Sequence, residues 1–563
     1  MPKPHFRRVA FPDDSQKILV PVEPRRATAP TMISTESHRA NVTQDSIQTD
    51  ILVIGSGLGG LAAAWNAAKQ GCEVTLLTRA SNPEDSNTYR AQGGIIYRNP
   101  GESPEQLIAD ILAAGAGLSS PEAATLLSRE GPRLVKEILI DELGVPFDSS
   151  PKNPAELDLT SEAGHSLPRI IHYKDQTGFA IERAFFERVR SHPKVKVLSN
   201  ATAVDLLTPS HHSVEPTDVY RPLTCVGAYV LDQKMGRIFS ILAKETILAT
   251  GGLGSVFLHT TNPPGARGDG IAMAYRAGAR CINMQYVQFH PTALLAPDGC
   301  FLISETVRGE GGRLVDRHGK EFMQRFHPAG SLATRDVVAR AIYQTMLESG
   351  EPCVYLDITH KPAEQLRERF PGIYAVCFER GIDLTREPIP VVPAAHYSCG
   401  GIATDDCGRT TVERLRAVGE VACTGLHGAN RLASTSLLEC LVWGTRAGAQ
   451  ATECITRGDS FYFPEIAGWR YERELADPAL ISQDWLTIQH TMWNYVGLIR
   501  SEKRLNRAMR VLRELDLEIA RFYEKCEISD SIIGLRNGIL TALLILGAAE
   551  QSRESRGCHY RID

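Results

Sequence analysis

A chain of 563 residues exceeds what one hydrophobic core can organise and predicts about three or four domains. With 43% hydrophobic residues, 23% charged residues and a formal net charge of -5, the composition is globular and excludes a general attraction to nucleic acid or anionic membranes. The thirteen cysteines are dispersed without a C-x-x-C pair, which argues against a disulfide framework, a metal site or an iron–sulfur cluster and predicts reduced thiols in a reducing compartment.

Residues 1–49 are rich in Pro, Arg, Ser and Thr and carry no apolar core of a secretory signal, so a disordered extension is expected there. Asp13, Asp14 and Glu23 are unwelcome in an organelle transit peptide; a cytoplasmic location is expected, with a plastid as the alternative if the extension is a targeting segment. Residues 50–79 read as strand, glycine-rich turn, Ala-rich helix and second strand, with Gly55, Gly57 and Gly60 in G-x-G-x-x-G spacing. Such a unit aims a helix N-terminus at a pyrophosphate. The acid that usually ends the second strand is missing; Thr78 and Arg79 stand there, and Arg79 is expected to meet the nucleotide instead.

Two amphipathic helices are predicted between Ser103 and Leu143, then a loop to Ser161. One strand is expected over residues 195–207, followed by a polar insert that reads as a hairpin tip, and residues 236–252 read as two further strands ending at Gly251 and Gly252. Residues 283–392 differ in texture and read as an inserted domain, and residues 393–455 return to strand, glycine-rich loop and helix. Over residues 465–563, Leu498, Leu505, Leu512, Leu515, Ile519 and Phe522 follow a 3–4 step and predict a helical bundle. The longest apolar run, Leu540 to Ala549, is too short to cross a bilayer, so no membrane span is expected.

The blocks "TYRAQGG", "TTNPPGARGDGIAMAYRAGA", "QFHPTAL", "ETVRGEGG", "TRDVVARAI", "VPAAHYSCGG" and "GLHGANRLASTSLLEC" occur in this order. From residue 50 to residue 563 the chain thereby resembles the succinate dehydrogenase and fumarate reductase flavoprotein superfamily, and within it the aspartate-oxidising branch. The resemblance implies an α/β fold: a Rossmann-like FAD-binding domain (residues 50–282 and 393–455) interrupted by an α+β capping domain (283–392) and followed by the C-terminal helical domain. It implies FAD-dependent oxidation of L-aspartate to iminosuccinate, with oxygen or fumarate as acceptor, as the first step of NAD biosynthesis. The unstable product implies a functional link to quinolinate synthase. The alternative is a soluble fumarate reductase or succinate oxidase.

Residues are implied for each role. In "DSNTYRAQGG", respiratory members carry a flavin-linked histidine where this chain has Asn87, an amide without a nucleophilic nitrogen, so FAD is expected to be held non-covalently. Thr88, Tyr89, Arg90, Ala91, Gln92, Gly93 and Gly94 are expected around it, with Ser56, Leu58 and Gly59 in the glycine turn. Gly251, Gly252, Asp269, Glu420, Ser436 and Leu437 match further FAD-contacting positions. His290, His396 and Arg431 are implied to hold substrate carboxylates, with Ser304 and Glu305 closing over them from the inserted domain. His290, Glu305 and Arg335 are the implied catalytic set, Arg335 facing the substrate carbon. Glu162 discriminates the substrate: a carboxylate facing the ammonium group of aspartate is favourable in a partly dry site and repels a dianion such as succinate. The neighbouring Ala163 departs from the family pattern and is not expected to move it.

Overall fold

The computed structural model describes residues 46–82, 85–162, 164–297, 299–458, 460–469 and 474–563. The expected disordered extension lies outside the described residues as far as residue 45, as does Ala163. Ser46 to Thr49 are not part of that extension. They begin strand β1 (Ser46–Ile54), where Ser46 pairs with Ser240 and Thr49 with Ala243.

Helix α1 (Leu58–Lys69) follows β1 and leads to β2 (Val74–Leu77). Its alanines are buried on nearly every face, because small side chains let the helix lie close to the sheet on one side and to the later helix Thr435–Thr456 on the other. The two predicted amphipathic helices are α2 (Pro104–Ala114) and α3 (Pro121–Leu134), the latter running on as a wider-wound π-helical segment, Val135–Glu142.

The single strand expected over residues 195–207 is two, β3 (Val195–Leu198) and β4 (Ala201–Leu207), broken where Asn200 takes a left-handed backbone with φ 54°. The two strands expected over residues 236–252 are one, β6 (Arg237–Leu248), preceded by β5 (Gly227–Asp232). In β6 both faces are largely covered, so period-2 patterning is weak and the sequence does not show that one strand runs through. The sheet order is β3-β2-β1-β6-β5-β4. Two residues cannot bridge a flat path of about 24 Å across five strand spacings. The antiparallel β4–β5–β6 meander therefore folds back over the parallel strands, and β4 lies against β2.

Helix α4 (Asp269–Arg276) leads to a second sheet: β7 (Val287–Ala296), β8 (Gly299–Leu302), β9 (Arg313–Val315), β10 (Val354–Asp357) and β11 (Ile389–Ser398), in the order β8-β7-β11-β10-β9. β11 runs straight through the boundary expected at residue 393. This sheet, with α5 (Glu305–Gly309) and α6 (Arg335–Ser349), encloses its own apolar core of residues such as Leu294, Val338 and Leu356. The chain then returns to the first sheet through β12 (Leu415–Ala417), which pairs with β6, and enters α7 (Thr435–Thr456).

Helices α8 (Pro478–Val496), α9 (Glu502–Lys525) and α10 (Asp530–Gln551) form the C-terminal unit. Leu505, Leu512 and Ile519 are buried as their spacing requires, whereas Leu498 precedes α9 rather than lying on it. The apolar run at 540–549 belongs to a 22-residue helix that is long and apolar enough to cross a membrane, correcting the inference from run length. Of its apolar window, 83% is buried inside the protein, where α10 packs against α4, α8 and α9. All thirteen cysteines lie among the described residues, and no disulfide joins any two of them.

Candidate active site

The carboxyl ends of β1, β2 and β6, the start of α1, the 85–94 segment and the second sheet enclose one large cavity of about 1790 Å³, its mouth included. Gly55, Ser56, Gly57, Leu58 and Gly59 line it, as do Arg79, Gly251, Gly252, Asp269, Glu420, Ser436 and Leu437. From "DSNTYRAQGG", Asn87, Thr88, Arg90, Ala91, Gln92, Gly93 and Gly94 line it as well. Two expected cofactor residues do not. Tyr89 turns away and packs edge-on against Phe179, with ring centroids 5.1 Å apart. Gly60 lies behind the turn, where a Cβ would stand 2.0 Å from the Gly55 carbonyl oxygen, so its role is close helix–strand packing.

Arg79 reaches the cavity but is already engaged by the carboxylates of Asp85 and Asp530. Asp85 itself lines the cavity and brings an acid to the end where β2 lacks one. Thr88 Oγ1 accepts from the Leu58 amide at 3.1 Å and ties the segment to the helix start. Asn87 Nδ2 donates to Glu420 Oε2 at 2.7 Å, and Glu420 Oε1 accepts from the Ser398 amide at 3.0 Å. Burial pushes the Glu420 carboxyl up to about 7.

Next to the glycine turn and open to the same cavity are Glu162, His290, Ser304, Glu305, Arg335, His396 and Arg431. The rings of His290 and His396 lie 5.4 Å apart. Burial, together with the guanidiniums of Arg335 and Arg308, holds His290 well below the usual imidazole range; burial and Arg431 do the same to His396. Both rings are therefore biased toward the neutral form. His396 is oriented by Thr261 Oγ1, 2.8 Å from Nδ1, and His290 by the backbone of Thr292. Ser304 caps α5, accepting from the Thr306 amide at 3.3 Å.

Arg335 Nε donates to Glu305 Oε2 at 2.5 Å, and Arg308 Nη2 lies 3.1 Å from Glu305 Oε1. Burial would raise the Glu305 carboxyl, but the two guanidiniums outweigh it and hold it below its ordinary range; burial would lower Arg335, but Glu305 and Glu162 outweigh it and raise its pKa. Glu162 Oε2 accepts from Ser434 Oγ at 2.7 Å. A Cβ on Gly93 would stand 2.7 Å from Glu162 Oε1, so a side chain there would push the Glu162 carboxylate out of its place. Behind Glu162, fully buried Arg169 pairs with Glu102 at 2.6 Å and Asp110 at 2.5 Å and reaches His165, which anchors this loop to Ala433.

The cavity fits FAD. It offers the amino end of α1 and a glycine turn to a pyrophosphate. Gln92 Oε1, Thr250 Oγ1 and Asn262 Oδ1 are buried on its wall without a protein partner, as groups awaiting a polar ligand are.

Residues 50–437 match the FAD binding domain family, and residues 485–563 the fumarate reductase flavoprotein C-terminal family. L-aspartate oxidase 1 of Ralstonia nicotianae is 45% identical over 519 residues, covering 91% of this chain and 95% of its own length. The chain belongs to the L-aspartate oxidase family. Its cofactor is FAD. The Pseudomonas aeruginosa member is 42% identical over 92% of this chain and 95% of its own length, and a member from Arabidopsis thaliana named as chloroplastic is 40% identical over 93% and 82%. Among solved structures, E. coli quinol fumarate reductase superposes with a TM-score of 0.81 at 27% identity, covering 92% of each chain. The Mycobacterium smegmatis Sdh1 structure in complex with UQ1 gives 0.76 at 30%, covering 92% of this chain and 89% of its own.

Sequence reasoning missed Arg308, Tyr397 and Ser434. Arg308 stands three residues after Glu305, a helical spacing that could have revealed it. Tyr397 and Ser434 line the cavity, but nothing local in the sequence marks them.

Proposed function

We propose that this protein oxidises L-aspartate to iminosuccinate at the cavity that joins the glycine turn to the Glu162, Arg335 and Arg431 cluster. The observation that carries the reading is the company of Glu162: a carboxylate held by Ser434 Oγ alongside Arg335, Arg431 and two histidines, while the other carboxylate of the cluster, Glu305, is taken up by Arg335 and Arg308. Such a site offers two guanidiniums and several neutral donors to a dicarboxylate and leaves the Glu162 carboxylate for an ammonium group, which matches aspartate and disfavours succinate.

Bound FAD supplies the two-electron acceptor. Gly55 to Gly59, Thr88, Gln92, Gly93 and Gly251 would hold it, with Asn87 and Glu420 beside it. Arg431 and His396 bind one substrate carboxylate; His290 and Ser304 bind the other. Glu162 orients the ammonium group. Arg335, kept charged by Glu305, would hold the substrate dianion in place beside the bound cofactor. The acceptor that completes turnover is oxygen or fumarate. The product reacts with water, so an enzyme that consumes it at once, of the quinolinate synthase type, is the functional partner in NAD biosynthesis. The setting is the cytoplasm, or a plastid as the name of the Arabidopsis relative has it.

Anaerobic mixing tests this directly. L-aspartate should bleach the flavin absorbance and succinate should do so far more slowly. Bleaching by succinate alone would favour the fumarate reductase alternative, and bleaching by neither would remove both.

A further inference from the structure

Arg431 is a buried cation without an acid at its edges. Its Nη1 donates to Ser436 Oγ at 3.1 Å and its Nη2 to Gln288 Oε1 at 3.2 Å, both neutral, and its buried Nε has no hydrogen-bond partner. Among the described residues no carboxylate forms an ion pair with it. Leaving a guanidinium dry and unbalanced is costly. Glu420, the acid that does act on it electrostatically, is itself pushed up to about 7 and is taken by Asn87 and the Ser398 amide.

The balance comes from the flat side. The guanidinium carbon of Arg431 lies 4.5 Å from the centroid of the Tyr397 ring. Tyr397 Oη in turn donates to Glu439 Oε2 at 3.0 Å, inside a fully packed network. Glu439 is 1% exposed; its Oε1 accepts from Thr424 Oγ1 at 2.6 Å, and its Oε2 lies 2.9 Å from His427 Nε2. A phenol that donates to a carboxylate becomes richer in electrons across its ring, which strengthens its hold on a cation above the face. A carboxylate bonded straight to Arg431 would occupy the N–H groups that a ligand carboxylate needs. One placed a phenol away leaves them open.

We infer that Glu439, acting through Tyr397, is the positioning residue that holds Arg431 flat and charged with its edge free for a substrate carboxylate. This rests on the dicarboxylate reading of the site. Neither residue takes part in bond making; the pair sets how tightly the substrate is held.

The test uses the FAD-loaded enzyme, with succinate binding read by calorimetry and L-aspartate turnover read separately. Tyr397→Phe keeps the ring and loses the O–H. It should raise the succinate Kd and the aspartate KM roughly three- to tenfold, with a smaller effect on kcat. Glu439→Gln should act in the same direction, and the double variant should be no worse than Glu439→Gln alone, because both changes cut one link. Additive effects would overturn the inference, as would wild-type succinate binding by Tyr397→Phe or a loss confined to kcat. Should Glu439→Gln give no soluble holoenzyme, Tyr397→Phe decides the matter by itself. Failure of the dicarboxylate reading looks different: the unaltered enzyme would bind neither succinate nor aspartate, and the inference would fall with it.

Discussion

Asn87 Nδ2 donates to Glu420 Oε2 at 2.7 Å, across 333 residues of chain, on the wall of the flavin cavity. The amide that stands where respiratory relatives carry a flavin-linked histidine is thus used to hold a buried acid. An amide nitrogen in that bond is not a nucleophile, so FAD should be released intact by acid or heat. Yellow flavin in the supernatant after precipitation is the expected result; flavin remaining with the polypeptide would refute it.

The same pair makes a prediction about pH. Burial raises Glu420 from 4.5 to about 7. Between those values the folded protein binds more protons than the unfolded chain, so this group makes stability fall as pH rises from about 4.5 to about 7, and the effect is flat above. The full effect is on the order of 3 kcal/mol. Urea unfolding of the FAD-free protein should show Glu420→Gln gaining stability relative to the unaltered chain between pH 5 and pH 8. An equal difference at both pH values would contradict the raised carboxyl.

Glu162 is held by Ser434 and faces the charge of Arg335. Glu162→Gln keeps the shape and removes the charge, so kcat/KM for L-aspartate should fall roughly ten- to a hundredfold. Fumarate reduction should persist or improve. An unchanged ratio between the two substrates would make Glu162 an ordinary loop acid.

The sequence made the glycine turn and the site residues legible for different reasons. The turn follows local rules of strand, glycine and helix, and Gly55 to Gly59 line the cavity as those rules require. His290, Arg335, His396 and Arg431 were legible only as parts of long motifs, since each alone reads as a core or surface residue. What stayed hidden depends on contacts between distant segments. The left-handed turn at Asn200 splits a strand that looks continuous, and Asp530 arrives at Arg79 from 451 residues away. Tyr89 sits inside a cofactor motif yet points to Phe179, because neighbours on an irregular segment need not share a face.

Arg335 is the last case. The residue beside it, Asp336, pairs with Arg340 at 2.8 Å, so the simple helix-surface pairing is not what Arg335 does; it points to Glu305 instead. Its Nη1 is buried without a partner and it lines the cavity, which leaves one edge of a fixed cation facing the substrate. Glu305 and Glu162 raise its pKa, which keeps it protonated and even less available as a base than free arginine and favours positioning of the dianion over proton removal. Arg335→Lys keeps the charge and loses the planar fork; Arg335→Leu loses both. With positioning dominant, the Lys variant should keep partial turnover, and the Leu variant should lose roughly a hundredfold or more in kcat/KM, mostly through weaker aspartate binding. With proton transfer dominant, both should lose turnover while aspartate still perturbs the flavin spectrum at its usual concentration. Stopped-flow reduction across an aspartate titration separates the two. Near-normal reduction in Arg335→Leu would remove the residue from the chemistry altogether.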